Sequence, residues 1–235
     1  MSAQRGTARP ETSPVTAAEF AACLAALSPS KSLAVAFSGG PDSLALLVLA
    51  AQWAGRRKGV SLHAFTVDHG LRAASTAEVK RAAALARKLG VSHRILRWEG
   101  AKPASGIQAA ARDARYRLLL DACREAGAGE LLVAHHLEDQ AETFLMRLAR
   151  SSGLDGLSAM APRWQQGGVT FLRPVLGVTR DELRSLLRAR GVGWFDDPTN
   201  ADPAYERVRA RQVLQALAPL GIEAETLGDV ARNLA

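Results

Sequence analysis

Apolar residues run unbroken from Leu33 to Phe37, stop at Ser38-Gly39-Gly40-Pro41-Asp42-Ser43, and resume with a helical spacing that continues to Ala54. A continuous apolar run before a glycine pair reads as a buried strand, and the spacing after it reads as a helix. The polar hexapeptide is therefore a strand-to-helix turn. The same alternation recurs downstream. Strands are expected at 61–68 (SLHAFTVD), 92–98 (SHRILRW) and 130–136 (ELLVAHH). Helices are expected over STAEVKRAAALARKLG and IQAAARDARYRLLLDACREAG, closed by Gly90 and Gly127. Such alternation predicts an α/β fold, an open parallel sheet with helices on both faces. A helix over AAEFAACLAAL precedes the first strand and closes before Pro29. Residues 160–176 predict two short strands around Gly167-Gly168, followed by a capped amphipathic helix over TRDELRSLLRARG. The expected organisation is a tail and N-terminal helix over 1–30, one domain over 31–216, and the start of a further helical segment or linker over 217–235.

The totals narrow the class. A chain of 235 residues with 48% hydrophobic and 23% charged residues suits a soluble globular protein. No apolar run is long enough to span a bilayer, and the first residues lack the apolar centre of a secretory signal, so a disordered tail is expected there. The two cysteines, Cys23 and Cys123, form no C-x-x-C pair and indicate neither a disulfide framework nor a zinc or iron–sulfur site. A reducing cytoplasm is the expected compartment. The net charge of +7 suits a polyanionic partner if the arginines gather near a site.

The hexapeptide carries the chemistry. Gly39 and Gly40 permit backbone angles and close approaches that a side chain forbids, Pro41 suits the first helical turn, and the new helix leaves N–H groups unpaired. An anion belongs there. The loop lacks both the Gly-Lys-Ser/Thr ending of a Walker loop and the third glycine of a dinucleotide fingerprint. Asp42 beside a phosphate cradle requires an intervening cation, which magnesium carried with a nucleotide supplies. Polar residues also gather at 68–72 (DHGLR) and 135–143 (HHLEDQAET), after the second and fourth strands. Ligands bind outside the carboxyl ends of parallel strands, so three loops are expected to converge on one crevice. Plainer roles compete at single positions: Asp68 as a cap of its own turn, His135 and His136 as strand caps, Glu138 on a solvated helix face.

The hexapeptide SGGPDS resembles the S-G-G-x-D-S loop of the PP-loop ATP pyrophosphatases. VDHGLR (67–72), AARDARY (110–116), AHHLEDQAETFLMRLARSSGLDGLSAM (134–160), RPVLGVTRDEL (173–183) and DDPTNADPAYERVRARQVL (196–214) are similar to successive motifs of the tRNA(Ile)-lysidine synthetases among them. The resemblance implies a Rossmann-like, adenine nucleotide α-hydrolase-like domain with a small helical C-terminal extension. It implies that ATP adenylates the C2 oxygen of the wobble cytidine of an isoleucine tRNA, after which the side-chain amine of free L-lysine displaces AMP. Ser38, Gly39, Gly40, Pro41, Asp42 and Ser43 would hold the nucleotide, Asp42 and Asp139 magnesium, and Arg112 and Arg207 would act at the active site. Asp139, Glu142, Asp196 and Asp197 are unranked candidates for receiving the lysine amine. Val208 stands where the family usually has asparagine, which removes an amide's hydrogen bonds beside Arg207. The chain stops at LGDVARNLA, within an expected helix, where relatives carry further domains; a short form or a truncated piece is expected. A tRNA thiolase of the same superfamily is the alternative. It would need reactive cysteines, whereas Cys23 and Cys123 both fall in helices that favour packing.

Overall fold

The computed structural model describes residues 12–70, 75–100, 102–103, 105–194 and 205–235, with residues 75–78 described by backbone only. Six strands form one sheet: β1 (Ser32–Ala36), β2 (Ser61–Asp68), β3 (Ser92–Arg97), β4 (Glu130–Leu132), β5 (Arg163–Gln166) and β6 (Val169–Leu172). Their spatial order is β3-β2-β1-β4-β6-β5. All neighbours pair parallel except β5, which runs antiparallel to β6. The expected parallel sheet is present, and the two short strands around Gly167-Gly168 form a hairpin at its edge. The expected strand over 130–136 is shorter. Ladder pairing ends at Leu132, and the polar pair His135-His136 leaves the sheet to begin a helix.

The helices are α1 (Ala17–Ala26), α2 (Pro41–Gly55), α3 (Ser75–Lys88), α4 (Ile107–Glu125), α5 (Leu137–Leu148), α6 (Leu154–Leu157), α7 (Arg180–Ala189), α8 (Glu206–Leu217) and α9 (Ala224–Asn233). Strand side chains alternate between faces. Leu33, Val35 and Phe37 join Phe20 and Leu24 of α1, the apolar side chains of α2, and Leu183 and Leu187 of α7. Ala34 and Ala36 face the other way, onto Leu119 and Cys123 of α4. Helix α2 lies under the sheet and between α1 and α7, so it is apolar all round. Its sequence LALLVLAAQWA shows that directly.

A third cluster joins Leu137, Ala141 and Phe144 of α5 to Leu214 of α8 and to Leu227 and Ala231 of α9. Helix α9 meets the start of α5 through a glycine. A Cβ added at Gly228 would lie 2.6 Å from Leu137 Cδ1, so the approach requires a residue without one. Strand order reverses at β1, where β2 and then β3 lie to one side and β4 to the other. That reversal opens the crevice in which open α/β sheets hold ligands. The loop after β1 and the loop after β4 border it. No helix of the described residues is long and apolar enough to cross a membrane.

Candidate active site

The turn after β1 is held by its two serines. Ser43 Oγ accepts from the Ser38 amide at 3.2 Å and donates to the Gly40 carbonyl at 3.1 Å. The Ser38 and Ser43 hydroxyls lie 3.0 Å apart. Gly39 has φ +88°, a left-handed angle that strains any residue with a side chain. Gly40 caps α2 and Pro41 opens it, leaving the first helical amides facing the crevice. The strand-to-helix turn expected from the sequence is present.

Across the crevice, α5 begins at His136, whose backbone N–H donates to Asp139 Oδ2 at 3.1 Å. Its imidazole is buried, with Nε2 3.6 Å from Asp42 Oδ2 and 3.5 Å from Asp139 Oδ2. Nδ1 lies 2.9 Å from Glu138 Oε2 as a charge contact, off the line of a hydrogen bond. Burial alone would push this imidazole down, but the carboxylates of Asp42 and Glu138, with the charge of Asp139, outweigh burial and raise it to about 9. Asp139 is pulled the opposite way, below the usual carboxylate range, because His136 and Arg207 overcome its burial.

His135 behaves oppositely. Burial first, then the charges of Arg173, Arg207 and Arg115, hold its imidazole at about 3 against the pull of Asp139. Its Nδ1 accepts from Arg173 Nε at 2.9 Å, which leaves the proton of the neutral ring on Nε2. Two adjacent histidines thus hold different protonation states at neutral pH.

A cleft of about 920 Å³ includes Ser38, Gly40, Pro41, Asp42 and Ser43 in its lining, with His135, His136, Asp139, Glu142, Arg207 and Arg211 facing them. Arg207 Nη1 donates to Asp139 Oδ1 at 2.7 Å. Glu142 is fully buried and meets Arg211 Nε at 3.0 Å, Arg180 Nη2 at 3.7 Å and Arg207 Nη1 at 4.0 Å. Arg207 and Arg211 share a face of α8, as their spacing of four implies. Val208 is buried and also lines the cleft.

Arg112 and Arg115, three positions apart on α4, border different concavities. Arg115 lines the cleft, whereas Arg112 borders a neighbouring groove. Arg112 lies over the Tyr116 ring at 5.0 Å and donates to its hydroxyl at 3.4 Å. An i, i+4 partner on α4 thus turns it away from the cleft. Asp68 accepts from the Gly70 amide at 3.0 Å, the plainer capping role, and neither Asp68 nor His69 lines the cleft. Among the described residues, two of the three expected loops border it; Leu71 and Arg72 of the third lie outside the described residues, as do Asp196 and Asp197. Glu138 corrects an expectation. It is not on a solvated face, because both its oxygens accept from the Arg180 amide at 3.0 Å, joining α5 to the start of α7. Arg180, Arg184 and Tyr205 line the cleft without having been singled out. For Arg180 a signal existed, since it lies within RPVLGVTRDEL.

Two fittings for a cation are present. Asp42 and Asp139 approach the same His136 nitrogen from separate elements, and Asp42 Oδ1 is buried with no hydrogen-bond donor. No group of three or more His, Cys, Asp or Glu suited to a metal occurs among the described residues. Two carboxylates nevertheless suffice for magnesium when phosphate oxygens and water complete its shell.

A glycine turn at the head of a buried helix, at the point where a parallel sheet reverses its order, is the arrangement with which open α/β proteins receive the phosphates of a nucleotide. A family model described as a PP-loop domain matches residues 13–217, and the chain belongs to that family. It is 48% identical over 226 residues to a tRNA(Ile)-lysidine synthase of Bradyrhizobium diazoefficiens, covering 96% of this chain and 63% of that protein. It is 49% identical over 207 residues to a tRNA(Ile)-lysidine synthase of Ruegeria pomeroyi, covering 88% of this chain and 49% of that one. The chain therefore spans less than two thirds of these relatives. Among solved structures, the U34-tRNA thiolase NcsA from Methanococcus maripaludis superposes with a TM-score of 0.78 at 17% identity, covering 93% of this chain and 76% of that one. That likeness is one of fold.

Proposed function

We propose that this chain catalyses the ATP-dependent joining of free lysine to C2 of the wobble cytidine in an isoleucine tRNA. The observation that carries the proposal is the meeting of Asp42 from the phosphate turn with Asp139 from α5 across one point of the cleft. The names of the relatives supply the substrate class. The cytosine C2 carbonyl is a poor electrophile, so its oxygen must first become a leaving group. The turn amides and the hydroxyls of Ser38 and Ser43 would receive the β and γ phosphates of ATP and stabilise pyrophosphate as it departs. Asp42 and Asp139 would hold magnesium, which neutralises phosphate charge. Arg207, tethered to Asp139, would offer a guanidinium to the charge that develops on the α phosphate.

The amine of lysine arrives protonated and must lose a proton before attacking C2. Of the four candidate carboxylates, Asp139 and Glu142 line the cleft. Glu142 Oε2 is buried without a hydrogen-bond donor, so an ammonium would complete it. Lysine nitrogen then bonds to C2 as the C2–O bond breaks, and AMP leaves with that oxygen. Thiolation is less supported. Burial pushes the Cys123 thiol up to about 12, and neither cysteine lines the cleft. Rapid-quench analysis without lysine tests the stepwise order: tRNA and ATP should release pyrophosphate and accumulate adenylated RNA, which added lysine discharges. Lysidine forming with no adenylated RNA before it would overturn that order.

A further inference from the structure

Beside the cleft lies a second concavity of about 510 Å³, between α4 and the β5–β6 hairpin, lined by Arg112, Tyr116, Arg117, Trp164 and Arg173 among others. Its cations differ from the Arg207–Arg211 pair of the cleft. Arg207 and Arg211 are engaged by Asp139 and Glu142, and Arg124 at the groove's far end is engaged by Asp121. Arg112, Arg117 and Arg173 form no salt bridge with a carboxylate among the described residues, although Asp113 borders the same groove. Arg112 and Arg173 rest instead on aromatic rings. The Arg173 guanidinium lies 3.8 Å from the Trp164 ring centre, and Trp164 stacks on Phe171 at 4.4 Å. Arg112 lies over Tyr116, whose ring is 5.7 Å from Phe171.

Guanidiniums without carboxylate partners, interleaved with aromatic planes, suit a strand of alternating phosphates and bases. The groove also shares its walls with the cleft. Helix α4 presents Arg112 to one and Arg115 to the other, and Arg173 donates to the cleft residue His135. We propose that this groove carries the single-stranded RNA flanking the reacting nucleotide, with phosphates at Arg112 and Arg117 and a base plane beside the Arg173–Trp164 stack. The proposal rests on the reading of the cleft as an RNA-modifying site.

The test is equilibrium binding of a fluorescein-labelled RNA hairpin, with the target cytidine in its loop, across a series of salt concentrations. The full chain is compared with Arg112→Ala/Arg117→Ala and with Arg188→Ala/Arg190→Ala, which removes equal charge from exposed positions at the end of α7 and its cap. Thermal midpoints confirm that each variant is folded. The groove pair should bind more weakly, with a salt slope shallower by roughly 0.7 for each phosphate no longer neutralised, while the α7 pair matches wild type. Unchanged affinity and slope in the groove pair would overturn the proposal and leave the cleft reading standing. Equal losses in both pairs would reduce the effect to bulk charge and overturn it too. Competition by polyglutamate as effective as by unlabelled hairpin would assign the groove to an acidic protein instead. Failure of the wild-type chain to bind the hairpin at all would remove the RNA reading of the cleft and the groove together.

Discussion

Asp42 and Asp139 do different structural work around the same histidine, so their amide variants should part in stability while agreeing in activity. Asp42→Asn and Asp139→Asn should each abolish AMP formation, by removing a carboxylate proposed to hold magnesium. Both lose a charge contact with His136, but Asp139→Asn also loses its charged hydrogen bond with Arg207, which should cost it about 1–3 kcal/mol more stability and appear as a lower thermal midpoint. Normal AMP formation by either variant at ordinary magnesium would remove the metal assignment. His136 gives a pH signature. Its folded value of about 9 stands above the ordinary histidine value of 6.5, so its contribution is fully present below pH 6.5 and is lost as pH rises through about 9. Thermal midpoints of the ligand-free protein should fall across that window, and His136→Gln should flatten the fall. The cradle residues were legible in the sequence because glycine, proline and serine occupy a turn whose backbone demands them. Which concavity Arg112 borders was not, since the sequence does not show whether its guanidinium settles on Tyr116 or reaches the cleft. Nor could spacing reveal that Glu138 reaches the amide of Arg180, a contact 42 positions away.

The element that carries Asp139 and Glu142 is positioned by packing rather than by hydrogen bonds alone. Helix α9 abuts the start of α5 at Gly228. Gly228→Val should therefore overpack that contact, destabilise the chain by about 1–3 kcal/mol and lower activity through displacement of α5; denaturant unfolding with parallel turnover assays checks it. An unchanged unfolding midpoint would mean that Leu137 moves aside without cost. The main elements were readable from local pattern: β1 and α2 because both are buried, the hairpin because Gly167 and Gly168 both take positive φ, and α7 because Thr179 and Glu182 form a capping box. Strand β4 was overextended because Ala134 and the two histidines continue an apolar-looking run. Their polar atoms belong to the cleft, which no local pattern records. The seating of α9 on α5 was likewise unreadable, because its partners lie far upstream in the chain.

At the scale of the molecule, the sheet brings the turn after β1 and the start of α5 to one crevice, and α7 and α8 supply arginines around it. Positive charge is divided: Arg207 and Arg211 meet the carboxylates of Asp139 and Glu142, whereas Arg112, Arg117 and Arg173 form no salt bridge among the described residues and are proposed to meet a polyanion. Arg207→Ala should therefore reduce tRNA-dependent turnover far more than Arg188→Ala on α7, as kcat and KM measurements on both variants would show. Equal effects would mean that Arg207 contributes only net charge. The most direct measurement is mass spectrometry of nucleosides from isoleucine tRNA incubated with the chain, ATP, magnesium and lysine, with AMP and pyrophosphate followed in the same samples. Lysidine should replace the wobble cytidine only when lysine is present, with one AMP and one pyrophosphate formed for each. ATP cleavage that leaves every cytidine unmodified, or a thiolated nucleoside formed when a sulfur donor replaces lysine, would contradict it.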